Sequence, residues 1–205
     1  MMPSSISDSQ LADIRDLFPI TKNGQIYMNH AAISPLPTPT HEAAAYWLNV
    51  RNSGGVENFD EGMQTVDETR NRVASYINAS SNDQITFLGN TSDAISAIAE
   101  GLHWHEGDEI ILNTLEFPTN VQPFRRLESR GVTLSFFESM NHQVAPEQIE
   151  AMITPNTRLV SVSAVQYLGG FRADLETIGK LCDEHDILFV VDGIQALGAS
   201  TRGRA

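Results

Sequence analysis

The stretch LFVVDGIQALGA (188–199) is an apolar, strand-like run that ends on a carboxylate, Asp192, with an amide, Gln195, three residues later. An unpaired carboxylate is costly to bury, because it has to shift its pKa and become neutral. Asp192 is therefore expected either to meet a cation or to lie at the open end of the strand. An aspartate at such a position also often caps a turn or the next helix, and both interpretations stay open on this stretch alone.

Helical and strand-like patterns alternate along the chain from residue 64 onward. This alternation is typical of βαβ units, and apolar strands without strict period-two patterning indicate burial on both faces. The sequence therefore predicts an α/β fold with a mostly parallel (mixed) sheet flanked by helices. The predicted strands are 85–88, 108–113, 132–138, 157–164 and 187–192. The predicted helices between them are 64–78, 91–102, 119–130, 146–153 and 174–185.

The first sixty residues have a different pattern, so we divide the chain into an N-terminal arm with helices, 1–60, and an α/β domain, 61–205. The arm contains predicted helices near 7–17 and 40–51, a proline-rich passage at 34–40 and a glycine-containing loop at 52–62.

Composition limits the classes of partner. The 205 residues include 13 Lys and Arg against 26 Asp and Glu, a formal net charge of −13. Such a charge repels phosphate backbones and anionic lipid surfaces, so neither nucleic acid nor membrane is an expected partner. The single cysteine, Cys182, and the absence of a secretion-signal pattern at the start predict a cytoplasmic protein.

Residues that follow the predicted strands are the first candidates for a site, because ligands bind outside the carboxyl ends of the strands in open α/β sheets. The turn GNTSDAIS (89–96) opens a helix and offers backbone N–H groups with the hydroxyls of Thr91 and Ser92, which suits a phosphate. An ordinary helix cap by Asn90 or Thr91 explains the same residues.

The later strand ends carry further polar and aromatic groups. Phe117 either lies flat on a planar ligand or packs in the core. Gln166 and Tyr167 form an amide–phenol pair, and Asp192 with Gln195 forms a carboxylate–amide pair. Together with the phosphate-type turn, this set suits a flat, phosphorylated heterocycle with a ring nitrogen, and pyridoxal 5′-phosphate is such a molecule.

Other patterns are weaker. The histidines of HWH, His103 and His105, could face one side of a strand, but no third ligand is evident nearby, and no metal is expected. A nucleotide-binding α/β domain would need a G-x-G-x-x-G turn, which is absent. Cys182 lies at an amphipathic helix position and is predicted to pack in the core.

The chain contains five ordered segments of interest: YMNHAAISPLP (27–37), FLGNTSDAIS (87–96), LEFPTN (115–120), VSAVQYLGGFRADLETIGKLC (162–182) and VVDGIQALGA (190–199). In order and spacing they resemble the motifs of the class V aminotransferase-fold, pyridoxal-phosphate-dependent enzymes. That family includes cysteine desulfurases, kynureninases and isopenicillin-epimerase-like proteins. The resemblance covers about residues 25–199 and implies the cofactor-binding large domain of a fold-type I enzyme.

The resemblance implies roles at the cofactor ring. Asp192 is expected to pair with the protonated pyridine nitrogen and Gln195 to reach the phenolic oxygen, while Phe117 stacks on the ring. A pair of unit charges about 4 Å apart contributes roughly 4 kcal/mol at an effective dielectric constant of 20. The charged ring then acts as an electron sink for a carbanion at the α-carbon of the substrate.

The resemblance also implies roles around the ring. Thr91 and Ser92 match the phosphate-binding turn. Asn29 and His30 match the segment that lines the substrate side, and Gln166 and Tyr167 fall where the family places polar residues close to the cofactor and the substrate. The implied partners are a small amino-acid substrate and a second copy of the chain in a homodimer.

Two features differ from the family pattern. Desulfurases and lyases carry a histidine at the stacking position, whereas this chain has Phe117, which is closer to the kynureninase pattern. The Schiff-base lysine of the family lies beyond the Asp-x-x-Gln motif, and neither Lys22 nor Lys180 matches its position. The chain is therefore expected to correspond to the N-terminal half of such an enzyme, without its small C-terminal domain and with its catalytic residue unknown.

The expected function is a pyridoxal-phosphate-dependent transformation of an amino acid, either transamination or cleavage at the β- or γ-carbon. The alternative is a non-catalytic truncated fragment that acts as a folding or dimerisation module.

Overall fold

The structure is a computed structural model that describes residues 6–198. These residues fall into two compact units, 6–86 and 87–198. The division follows Thr86, whereas the sequence pattern predicts a boundary near residue 60; the helix predicted at 64–78 clusters with the first unit. Assignment of the two parts to an arm and a cofactor-binding domain stays a prediction.

The first unit contains three α-helices, α1 (Asp8–Asp16), α2 (Thr38–Ser53) and α3 (Phe59–Tyr76), among the described residues. Helix α2 begins inside the proline-rich passage, because a proline in the first helical turn lacks only an N–H that would have no partner there. Helix α3 begins inside the predicted glycine loop, where Asp60 and Glu61 lie in its first turn and favour the positive end of the helix dipole. Within residues 6–198, no helix is both long and apolar enough to span a bilayer.

The second unit is built on a parallel sheet. Its strands are β1 (Glu109–Asn113), β2 (Thr133–Phe137), β3 (Thr157–Ser163) and β4 (Leu188–Asp192), in the spatial order β2-β1-β3-β4. All neighbouring strands pair in parallel. The helices are α4 (Thr91–Gly101), α5 (Gln122–Arg125), α6 (Pro146–Glu150) and α7 (Leu175–Glu184). The predicted α/β fold with a parallel sheet flanked by helices is confirmed.

Two elements predicted from the sequence are wrong in detail. Residues 85–88 form no strand in the described part of the chain. A strand forms only where its backbone groups find a partner strand, and none pairs with this segment among the described residues. The helix predicted at 119–130 is instead a 3-10 turn at Pro118–Asn120, the short α5 and a 3-10 helix at Arg126–Arg130. Pro123 lies inside the predicted helix and lacks the N–H donor that a continuous helix would need there.

The core lies on both faces of the sheet. Ile110, Leu112 and Leu159 point to one face and pack with Phe124 of α5. The alternate residues of β1 and β3 point to the other face, where they pack with Cys182 of α7. Cys182 is buried, as predicted, and burial raises the pKa of its thiol to about 11.

The strand order reverses direction at one place. From β1 the chain moves to β2 on one side, and then returns past β1 to β3 and β4 on the other side. In open α/β sheets the loops that leave the carboxyl ends of two such strands diverge, and ligands bind in the crevice between them. The segments that follow β1 and β3 are therefore where a site is expected.

The amino-terminal edge of the sheet has a polar cluster of its own around Glu109. Burial alone raises the pKa of Glu109, but the hydroxyls of Ser135, Thr154 and Thr157 donate to its carboxylate and outweigh burial. The pKa of Glu109 is therefore below its ordinary value of 4.5. A carboxylate with a lowered pKa stabilises the fold above its unfolded-state pKa, and this contribution is lost as the pH falls through the folded-state pKa.

Glu109→Gln is consequently expected to reduce the free energy of unfolding most at neutral pH and least in acid, below about pH 4. Urea unfolding followed by circular dichroism over this pH range measures the difference. Glu150→Gln, at an exposed glutamate of α6, is the matched control. A difference between wild type and Glu109→Gln that does not vary with pH would contradict the prediction.

Candidate functional site

The segment Glu116–Asn120, which follows β1, contacts the other strand ends. Glu116 accepts hydrogen bonds from Ser163 at the end of β3 and from Gln166 shortly after it, and Asn120 donates to Asp192 at the end of β4. Phe117 contacts Tyr167 ring to ring, and the hydroxyl of Ser92 lies 3.4 Å from that of Thr119. The turn before α4 and the segments at the carboxyl ends of β1, β3 and β4 therefore meet at one edge of the sheet.

Glu116 is a buried carboxylate, with 6% of its surface exposed. Its Oε1 accepts from the backbone N–H of Ser163 at 2.9 Å and from Gln166 Nε2 at 2.7 Å. Its Oε2 accepts from the hydroxyl of Ser163 and from Asn120 Nδ2 at 3.0 Å. All of these donors are neutral, and they occupy the acceptor positions of the carboxylate.

Asn120 lies between two carboxylates and is fully buried. Its Nδ2 is 3.0 Å from Glu116 Oε2 and 2.9 Å from Asp192 Oδ2. The same nitrogen is 3.1 Å from the hydroxyl oxygen of Ser163, which uses its own proton toward Glu116. An amide NH₂ group has two protons and can donate only two full hydrogen bonds. The two carboxylates are its strongest acceptors because they are charged, so they set the orientation of the amide.

Asp192 lies at the open end of β4 and is half-buried. Its Oδ1 accepts from the backbone N–H of Ile194 at 2.9 Å, and its Oδ2 accepts from Asn120. No ion pair among the described residues includes Asp192. A half-buried carboxylate held only by neutral donors keeps lone pairs for a cation.

A tight turn after β3 positions Gln166 and Tyr167. The N–H of Gln166 donates to Phe171 O at 2.8 Å, and the N–H of Gly170 donates back to Gln166 O at 2.9 Å. Gly170 has φ +66°, a left-handed conformation that favours glycine. The turn buries Gln166 against Glu116 and leaves Tyr167 half-exposed, with its ring edge-on to Phe117 at 5.2 Å between centroids.

The turn before α4 is capped by Asn90. Its side-chain oxygen accepts from the N–H of Asp93 at 2.9 Å, and its amide donates to the Asp93 carboxylate. Thr91 is half-buried and Ser92 is exposed at the first turn of α4. The capping interpretation is therefore met by Asn90, while binding of a phosphate by Thr91 and Ser92 stays a prediction.

The remaining predicted residues have other local partners. Gln195 is half-buried, and its Nε2 donates to the carbonyl of Val165 at 2.8 Å. Asn29 and His30 belong to the first unit, where both are exposed and His30 packs edge-on against Tyr27. Their assignment to the substrate side, and the contact of Gln195 with the phenolic oxygen, stay predictions.

Sequence reasoning missed Glu116, Asn120 and Ser163. Glu116 carries the same signal as Asp192, since it is a carboxylate shortly after an apolar strand. Asn120 follows Glu116 by four residues and carries no pattern of its own. Ser163 reads as an ordinary strand residue, and only the parallel register, which pairs it with Asp192, brings it to the edge.

The chain is similar in sequence to curated proteins. The chain is 31% identical over 191 residues to a protein named "Probable cysteine desulfurase" from Methanothermobacter thermautotrophicus, covering 91% of this chain and 47% of the relative. It is 33% identical over 182 residues to one of the same name from Borreliella burgdorferi, covering 83% and 43%.

Several solved structures are similar to this chain. A C-DES mutant with glycine covalently linked to its PLP cofactor matches with a TM-score of 0.82 and 27% identity, covering 90% of this chain and 50% of that one. The apo cysteine desulfurase of Thermococcus onnurineus matches with a TM-score of 0.78 and 28% identity, covering 93% and 48%.

The chain thus spans about half the length of the relatives that it matches. The model of the class-V aminotransferase family matches residues 26–201, which include every segment of the described edge. The protein belongs to the class-V aminotransferase family.

Proposed function

We propose that the second unit binds pyridoxal 5′-phosphate at the carboxyl edge of its sheet, as part of an enzyme that transforms an amino acid. The observation that carries this proposal is Asp192. Its half-buried carboxylate is anchored by two neutral donors and has no cationic partner among the described residues, so it suits the protonated nitrogen of a pyridine ring.

The surroundings of Asp192 fit the same group. Asn120 Oδ1 and Gln166 Oε1 are buried without a hydrogen-bond partner among the described protein atoms. This edge therefore has spare acceptors, as a ligand that carries N–H or O–H groups requires. Phe117 is 47% exposed beside it and offers a ring face to a planar ligand.

Each residue then has a separate task. Asp192 holds the ring nitrogen in its protonated form, Gln195 reaches the phenolic oxygen, and Phe117 with Gln166 fixes the plane of the ring. Thr91 and Ser92 bind the phosphate with the positive end of the α4 dipole. When bound, the cofactor supplies an electron sink for the α-carbon of the substrate. Tyr167 is proposed to contact the amino acid.

The proposed reaction is transamination or cleavage at the β- or γ-carbon. Cysteine and cystine are the first substrates to test with the whole protein, because the relatives named above are cysteine desulfurases and a further match of 27% identity is a cystine C–S lyase. Phe117, which the sequence analysis compared with kynureninases, makes kynurenine the second.

Equilibrium dialysis of the 205-residue chain with pyridoxamine 5′-phosphate tests cofactor binding directly. This form needs no covalent bond to the protein. Saturable binding at one molecule per chain is expected, and pyridoxamine without the phosphate should bind more weakly. Absence of saturable binding would overturn the proposal. Equal affinity for both molecules would show that Thr91 and Ser92 do not bind the phosphate.

Phe117→Ala is expected to weaken the binding of pyridoxamine 5′-phosphate by about 3- to 10-fold, because an aromatic pair contributes about 0.5–1.5 kcal/mol beyond area burial. Fluorescence of the bound ring measures the affinity. Phe59→Ala, at an exposed phenylalanine of the first unit, is the control. Unchanged affinity in Phe117→Ala would show that Phe117 does not touch the ring.

A second candidate function, self-association, rests on the edge strand β4. Leu188 and Val191 in this strand, and Ile194 and Leu197 in the following turn, are large apolar residues with 38–68% of their surface exposed. An exposed apolar edge strand favours pairing with another chain. Sedimentation equilibrium of the chain, with and without pyridoxamine 5′-phosphate, tests this homodimer proposal, and a monomer at all concentrations would reject it.

A further inference from the structure

Glu116 is the most enclosed carboxylate of the second unit, and the proposed cofactor chemistry gives it no role. It takes part in none of the ion pairs among the described residues. Four hydrogen bonds from neutral groups hold it instead. Burying a charged side chain in this way costs free energy, so packing alone does not explain a glutamate at this position.

The hydrogen bonds determine which way two neighbouring amides point. Gln166 turns its NH₂ group to Glu116 Oε1, and Asn120 turns its NH₂ group to Glu116 Oε2. Both amides keep this orientation although their carbonyl oxygens, Asn120 Oδ1 and Gln166 Oε1, are left buried without a partner. The negative charge of Glu116 therefore dominates the local hydrogen bonding.

The orientation of Asn120 reaches Asp192. Because Glu116 holds Nδ2 on its side, the second proton of the same NH₂ group points to Asp192 Oδ2 at 2.9 Å. If the Asn120 amide were rotated, its Oδ1 would face both carboxylates, and this oxygen and the carboxylates would repel each other. The two carboxylates are thus linked through one nitrogen atom.

We propose that Glu116 is a positioning residue for the cofactor site: through Asn120 it directs an N–H group to Asp192 and fixes that carboxylate for a protonated ring nitrogen. The inference rests on the proposed function, since it assigns Asp192 to the ring of pyridoxal 5′-phosphate. It adds Glu116 and Asn120 to the machinery, neither of which needs to touch the cofactor.

Glu116→Gln separates this role from simple packing, because it keeps the shape of the side chain. One oxygen remains to accept from the N–H of Ser163 and from Gln166 Nε2, which fixes the orientation of the new amide. Its NH₂ group then faces Asn120 Nδ2, and two donors oppose each other. Asn120 has to rotate or move away, and Asp192 loses its N–H.

The test combines two measurements on the full chain. In ¹⁵N-asparagine-labelled protein, we expect the side-chain amide protons of Asn120 to exchange slowly with solvent in wild type and to lose this protection in Glu116→Gln. Pyridoxamine 5′-phosphate with ¹⁵N in its ring should bind about tenfold more weakly to Glu116→Gln. Its ring-nitrogen resonance should also move toward that of the neutral pyridine.

Two further variants separate positioning from stability. Glu116→Asp keeps the charge and is expected to restore part of the Asn120 protection and of the ring-nitrogen resonance. Ile149→Val, in the core on the opposite face of the sheet, lowers stability without touching the network and should leave both signals unchanged. Loss of both signals in Ile149→Val would show that general destabilisation causes the effect, and would overturn the proposal.

Three further outcomes also test the proposal. Unchanged Asn120 protection and an unchanged ring-nitrogen resonance in Glu116→Gln overturn the proposal. If Glu116→Gln does not fold, the wild-type signal decides alone, because rapidly exchanging Asn120 protons are incompatible with the proposed link. Protected Asn120 protons in a protein that binds no pyridoxamine 5′-phosphate overturn the proposed function but support the link from Glu116 to Asp192.

Discussion

Phe124→Ala is expected to lower the free energy of unfolding by about 3–5 kcal/mol, the usual cost of removing a fully buried phenylalanine side chain. Phe124 has no exposed surface and packs against one face of the sheet with residues of β1, β3 and α4. Its neighbours Pro123 and Leu127 are also buried, so the short helix α5 has little freedom to collapse into the space.

Chemical denaturation followed by circular dichroism measures this loss. Phe59→Ala is again the matched control, since Phe59 is 62% exposed, and its change should stay within about 0.5 kcal/mol. A loss below about 1 kcal/mol in Phe124→Ala would mean that α5 does not close this face of the core.

Asp192→Asn is expected to weaken the binding of pyridoxamine 5′-phosphate by about 30- to 150-fold, or about 2–3 kcal/mol. Removing one partner of a buried charge pair costs about 3–5 kcal/mol, and the half-burial of Asp192 places it at or below the lower end. The variant keeps the size of the side chain and one oxygen for the N–H of Ile194, so the turn itself should survive.

Equilibrium dialysis at neutral pH measures the change in affinity. Asp183→Asn, at an exposed aspartate of α7, also removes one negative charge and should bind as wild type does. Equal weakening in the two variants would point to the net charge of the protein, and no change in Asp192→Asn would remove Asp192 from the site.

The sheet could be predicted from sequence because its strands are apolar on both faces, as in residues 110–112 and 159–162. Such apolar runs indicate buried strands from the local sequence alone. The segment 85–88 has the same composition but no partner strand among the described residues, and pairing cannot be seen in a local pattern. Pro123 indicates a break in the predicted helix 119–130, but the apolar periodicity of this segment favours a continuous helix.

The site could be predicted only in part. Phe117 and Gln166 come shortly after strands and Asp192 ends one, so the parallel arrangement alone brings them to one edge. The links between them depend on side chains whose partners are distant in sequence, such as Asn120 and Asp192, and no spacing rule connects these residues. For Gln195 the structure gives a local contact with Val165, and the roles of Gln195 and Thr91 stay predictions.

The sharing of one carboxylate among Ser163, Gln166 and Asn120 has a consequence for how these positions can vary between related proteins. A substitution at any one of them leaves a buried donor or acceptor without a partner, which costs about 1–3 kcal/mol. A second substitution at a linked position can relieve that cost. We therefore expect strong epistasis: residues 116, 120, 163 and 166 should be exchanged as a group, and grafting one of them alone from a relative should be more harmful than grafting all.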